Sequence, residues 1–170
     1  MRDERRQESE MAKIDRYYFG NGTEDPYNDF MNVEEVVGGT DGINMPDDVM
    51  VVQALLCFLG DFWRGFPDRE CPSVTGTFDR TTRDAIKKYQ RLHNRDRSRA
   101  LGRLVQDGRI SPAKSKLVFG GNYTWTIITL NFWARIAAHT PVEEENGMGY
   151  VNEIMERWPQ VREALHLSLD

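Results

Sequence analysis

The stretch PDDVMVVQALLCFLGDFW, residues 46 to 63, constrains the fold more than any other part of this chain. Pro46 suits a first helical position, and Asp47 and Asp48 stand where the helix dipole favours negative charge. Val49, Val52, Leu56, Leu59 and Trp63 recur at helical spacing, while Val51, Leu55 and Phe58 widen the apolar face. Such a helix is mostly buried, so the rest of the chain must cover it. Gly60 loosens its last turn, and Gly65, Phe66 and Pro67 end it.

The covering elements are legible in part. GTFDRTTRDAIKKYQ, residues 76 to 90, runs from a glycine turn through Asp79, an N-cap candidate, into a second helix with Thr82 at its third position. Phe78, Ala85, Ile86, Tyr89 and Leu92 form a narrow apolar stripe, and Arg80, Arg83, Lys87, Lys88 and Arg91 fill the remaining surface. NRDRSRALGRLVQ reads as a basic connector with room for a helical turn, and DGRISPAK as a turn. NYTWTIITLNFWARIAAH contains a β-branched run, yet its length and the spacing of Trp125, Ile128, Phe132 and Ile136 predict a helix. From Val151 to Leu167 the pattern predicts one or two short helices broken near Trp158 and Pro159.

Toward the N-terminus, residues 1 to 12 carry no apolar period. Residues 13 to 43 mix aromatics (Tyr17, Tyr18, Phe19, Tyr27, Phe30) with GNGTEDP and GGTDG. They read as an extended arm whose aromatics pack on the main domain, with a short strand near Asn32 to Val37. At 170 residues, one core is expected. No apolar run reaches the roughly 20 residues of a membrane span, and the charged first residues do not fit a signal peptide, which predicts a cytosolic start. Two cysteines are present, Cys57 in the apolar helix and Cys71 in a Pro-flanked loop. A cytosolic start favours Cys57 as a small buried hydrophobe, with a Cys57–Cys71 disulfide as the alternative.

The charge is divided unevenly. Between Arg80 and Lys116 twelve basic residues face three acidic ones, a net +9, which leaves −14 for the remainder of a chain whose total is −5. One face is therefore expected to meet something anionic, a solvated basic surface being the plain alternative.

Two segments echo each other. Gly76-Thr77-Phe78-Asp79 leads into a helix, and Asp107-Gly108-Arg109-Ile110 leads, after an insertion, into another with Thr124, Trp125 and Leu130. With Gln53, Leu55 and Leu56 before them, then Thr82, Ala85, Ile86, Tyr89 and Gln90, and Thr124 or Thr126 beside Trp125, the series over about residues 43 to 138 resembles the peptidoglycan-binding-like domain. That is a small three-helix module attached to many bacterial cell-wall enzymes. The resemblance implies a mainly α fold: an orthogonal helical bundle at 43–139, an N-terminal tail and extended arm at 1–42, and a C-terminal helical extension at 140–170. It also implies a bacterial or phage source. The chain departs from the family at Val74-Thr75, at Asp79 and in inserts at 94–105 and 111–121, all on loops that would meet a ligand.

The resemblance implies a non-catalytic module that contacts peptidoglycan or another anionic polymer. Arginine forks suit the carboxylates of lactyl groups and peptide stems, and aromatic rings stack on sugars. The candidate ligand-binding residues are Arg80, Arg83, Lys87, Arg109, Tyr123 and Trp125. Against them stands the ordinary solvated face of an amphipathic helix, and Phe78, Tyr89, Trp125 and Trp133 are more simply core aromatics. Gln53 and Gln90 are equally explained as amides that tie helix to loop. No catalytic residue, metal site or cofactor motif is expected: His93, His139 and His166 share no ligand spacing and read as surface or helix-end residues, and Glu143-Glu144-Glu145 reads as a solvated loop. Nucleic acid ranks third, because the chain as a whole is acidic. The second reading is a protein-interaction or structural module of a secretion, phage or envelope assembly that keeps the fold without glycan binding.

Overall fold

The computed structural model describes residues 12–18, 27–63, 71–96, 101–114, 124–138 and 148–167. Five helices and two small two-stranded sheets are found there: β1 Lys13–Tyr18, β2 Tyr27–Asn32, β3 Val37–Gly38, α1 Pro46–Phe62, α2 Arg80–Asp96, β4 Arg109–Ile110, α3 Thr126–Ala137, α4 Gly149–Arg157 and α5 Gln160–Ala164. The protein is a mostly helical small domain.

Helix α1 begins at Pro46, where the sequence places it, and every residue from Val51 to Gly60 is buried. It is wrapped by α3, α5, α2, α4, β2 and β3. Leu55, Leu56 and Phe58 have no exposed surface, and each such side chain contributes about 1.5–3 kcal/mol on burial. Its first turn does more than complement the dipole. The buried Asp48 carboxylate accepts the backbone N–H groups of Glu34 at 3.0 Å and Glu35 at 2.9 Å, which ties the turn after β2 to the helix start. Burial outweighs these hydrogen bonds and pushes the Asp48 carboxyl up to about 6.

The N-terminal segment is not a simple extended arm. β1 and β2 pair antiparallel from Lys13 with Asn32 to Tyr18 with Tyr27. Two amide side chains fasten this ladder. Asn131, within α3, accepts from Met31 N–H and donates to Met31 C=O, both at 2.9 Å, so it acts as a one-residue strand partner. Asn32 does the same for Ala113, accepting its N–H at 3.1 Å and donating to its C=O at 3.3 Å. Phe30 is buried. Strand character brackets Asn32 to Val37 without filling it, because Val33 to Val36 form the turn that Asp48 holds.

Helix α3 is helical despite its β-branched residues, and Ile128 of the expected stripe is buried while Phe132 is partly so, but the ends of that stripe face outward. Ile127, Leu130, Ala134 and Ala137 enter the core, whereas Ile136 is 51% exposed and Trp125 36%. A segment apolar on nearly every side lets tertiary packing choose the face. The last two helices break at Trp158 and Pro159, as the sequence predicts.

The cysteines overturn the compartment-based preference. Cys57 and Cys71 are disulfide-bonded, with Cα atoms 4.9 Å apart, a separation that suits the bond. His93 stands in the last turn of α2, the helix-end place expected of it, but the surface alternative is corrected. It is fully buried rather than at the surface, with Nε2 3.0 Å from the Gly102 carbonyl and Nδ1 accepting from Trp133 Nε1 at 3.4 Å. A neutral ring protonated on Nε2 satisfies both contacts, and burial holds its pKa below the ordinary value. His166 lies on the surface beside Asp47; His139 and Glu143 to Glu145 lie outside the described residues.

Candidate anionic-ligand face

Two glutamines organise the face. Gln53, on α1, accepts the N–H groups of Thr75 and Gly76, both at 2.9 Å, and donates to Thr77 C=O and Thr82 Oγ1, both at 2.9 Å. Thr82 in turn donates its hydroxyl to Asp79 Oδ1 at 2.7 Å, and the same oxygen accepts Thr82 N–H at 2.7 Å. Asp79 is the N-cap of α2, and these two bonds hold its carboxyl below the usual range. The start of α2, and with it Arg80 and Arg83, is thereby fixed to α1.

Gln90, on α2, repeats the device. It accepts Gly108 N–H at 2.9 Å and donates to Arg109 C=O at 2.9 Å, with Asp107 Oδ1 at 3.2 Å and Thr126 Oγ1 at 3.5 Å. Thr126, rather than Thr124, is therefore the threonine of the second unit. The turn gains a further support in β4, which pairs with β3 through Val37 with Ile110 and Gly38 with Arg109. Gly38 has φ +84°, and a Cβ there would come within 2.3 Å of the Gly108 carbonyl oxygen, so only glycine permits the approach.

The candidate side chains are distributed as follows. Arg80 and Arg83 are exposed near Asp84, at 3.5 and 4.0 Å. Lys87 is exposed, one turn beyond Arg83, and its stem crosses Gly108: a Cβ on Gly108 would meet Lys87 Cε at 2.8 Å. Arg109 extends over Gly39 and pairs with Asp41 at 3.2 Å. The Lys87 stem thus lies against Gly108 of the second turn, while the Arg109 side chain leaves the neighbouring position of the same turn toward Gly39 and Asp41. Trp125 is exposed and adjoins Thr126, on the chain that Gln90 brings toward Arg109. Tyr123 lies outside the described residues.

The aromatic expectation divides. Tyr89 is buried and donates to Thr129 Oγ1 at 2.8 Å, Phe78 and Trp133 are partly buried against the core, and Trp125 alone of the four is exposed. The reading of Gln53 and Gln90 as ties between helix and loop is confirmed in geometry. Asp41 and Gly38 of β3 carry no motif in the sequence, and the clustered glycines of VGGTDG are the one signal that points to them. Among the described residues no group of His, Cys, Asp and Glu could hold a metal ion, and no helix is long and apolar enough to cross a membrane. The arrangement offers exposed cations and one indole, suited to holding an anionic or sugar-bearing ligand.

Comparison of the chain with protein-family models, with curated proteins and with solved structures gave no match.

Proposed function

We propose that this protein is a non-catalytic binding module of the peptidoglycan-binding type, an orthogonal helical bundle that docks on anionic cell-wall glycan or its peptide stems. The observation that carries the reading is the packing of the Lys87 stem on Gly108, the residue before Arg109, on a turn clamped by Gln90. A clamped turn fixes two cations without the cost of ordering a free loop, which favours carboxylate recognition. Arg83 extends the cationic row along α2, Arg80 continues it to the helix start, and Trp125 supplies a ring for a sugar face. A bound carboxylate competes with Asp41 and Asp84, the acids that neighbour these arginines.

Retention on purified sacculi tests the reading. The wild-type chain is expected to co-sediment, and combined Arg83→Glu, Lys87→Glu and Arg109→Glu to lose most of that retention. No retention of the wild type removes the proposal. Equal retention of the variant moves the site elsewhere on the molecule.

The second reading, a protein-interaction module, draws on a different observation. Leu59, Phe62, Trp63, Trp133 and Ile136 line an apolar groove, with Phe62 and Ile136 about half exposed. Stoichiometric co-purification of a protein partner that is lost on Phe62→Asp would favour it over wall binding.

A further inference from the structure

The segment that joins the disulfide to α2 is held twice by the same face of α1. Gln53 and Cys57 lie one helical turn apart; Gln53 fixes Thr75, Gly76, Thr77 and Thr82, and Cys57 is bonded to Cys71. Gln160 adds a third, independent tie by donating to Val74 C=O at 3.0 Å. None of the amide contacts involves sulfur, so the segment stays against α1 when the bond is reduced, and Cys71 stays beside Cys57. The two cysteine residues differ in exposure. Cys57 is 2% exposed within the core helix, whereas Cys71 is half-buried at its edge.

We infer that this pair is a thiol–disulfide exchange site for small thiols and disulfides, with Cys71 as the sulfur that exchanges and Cys57 as the shielded partner. In the reducing direction a thiolate of an external dithiol attacks Cys71 Sγ, the S–S electron pair leaves on Cys57 Sγ, and that thiolate takes a proton. The second thiol of the reagent then attacks its own sulfur in the mixed disulfide and releases Cys71, which is protonated in turn. Two electrons and two protons pass to the protein, and the dithiol becomes a disulfide. The reverse sequence closes the bond after folding, because the amide ties already hold the two thiols together. An oxidising environment keeps it closed.

The test uses the full chain and oxidised glutathione. The folded Cys57→Ser variant is expected to take up one glutathione at Cys71 at least about tenfold faster than folded Cys71→Ser does at Cys57, since thiol reactivity follows access. Equal rates, or faster reaction at Cys57, overturn the inference. Circular dichroism checks that both variants fold. If either does not, reduced wild type is treated with limiting iodoacetamide and the labelled peptide is mapped: labelling of Cys71 first supports the assignment, and labelling of Cys57 first or of both together refutes it. A folded wild-type chain that retains two thiols in excess oxidised glutathione also refutes it. None of these outcomes depends on wall binding.

Discussion

The unit built on Gln53 and the unit built on Gln90 use the same parts for different ends. In the first, one amide makes four contacts of 2.9 Å and closes on Thr82 six residues beyond Gly76. In the second, the amide also makes four contacts, but it accepts a single N–H and two of its contacts lengthen, to 3.2 Å at Asp107 and 3.5 Å at Thr126. The first unit is closed and belongs to the core. The second has been opened, is propped by β3 from the N-terminal segment, and presents Lys87, Arg109 and Trp125 at the surface. On the proposed reading, the copy with the longer contacts is the one that meets a ligand, while the other copy keeps the fold.

The comparison is most directly broken by removing each amide. Gln53→Leu leaves two N–H groups, a carbonyl and a hydroxyl without their partner and is expected to cost about 4 kcal/mol, with Gln90→Leu costing about 2 kcal/mol. Denaturant unfolding that finds equal or reversed costs contradicts the division of labour. Acidity acts with opposite sign at the two helices that carry these glutamines. Asp48, at the start of α1, has its pKa raised from 3.8 to about 6, so the folded state holds the proton more tightly. Its contribution is a gain in stability of up to about 3 kcal/mol as pH falls from 6 to 4. Asp48→Asn is expected to abolish that limb. His93, at the end of α2, has a lowered pKa, so stability is lost as pH falls below its ordinary 6.5, and a neutral replacement such as His93→Gln should flatten the curve there.

The glycines sharpen the same contrast at smaller scale. Gly76 has φ +75° and its added Cβ would meet the Pro46 carbonyl oxygen at 2.8 Å, backbone that cannot yield. Gly108 has φ +73°, but its added Cβ would meet only the flexible stem of Lys87. Gly76→Ala is therefore expected to cost about 3 kcal/mol and Gly108→Ala about 1–2 kcal/mol, the latter near the left-handed backbone penalty alone. Thermal melts of the two variants decide it. Smallest of all, Arg83→Glu and Lys87→Glu, both exposed, should move stability by no more than about 0.5 kcal/mol. On the proposed reading their effect is on binding instead.

Much of this was legible in the sequence, and the failures have physical causes. The start of α1 at Pro46, the Asp79 cap with Thr82, and the break at Pro159 follow from local chemistry and are found where expected. Gln53 and Gln90 were readable as ties because each precedes a glycine turn. The β1–β2 ladder was not, since its fastenings, Asn131 on Met31 and Asn32 on Ala113, span 100 and 81 residues. His93 is at the helix end as expected, but its burial is not legible locally, because its partners, Gly102 and Trp133, come from elsewhere in the chain. The disulfide stands only as the alternative in the sequence, because the compartment argument favours a free Cys57 and the 4.9 Å approach of the two Cα atoms is set by the tertiary fold. In the candidate face the exposure of Arg80, Arg83 and Lys87 followed from the amphipathic pattern. The Asp41 partner of Arg109, 68 positions away, did not.

Amide hydrogen exchange at Gly76 and Gly108, with and without soluble peptidoglycan fragments, tests the central claim most directly. The account predicts that Gly76 is the more protected of the two in the free protein, and that the fragments slow exchange at Gly108 and Arg109 by about tenfold while leaving Gly76 unchanged. Equal protection in the free protein, or a ligand response at Gly76 rather than Gly108, would contradict it.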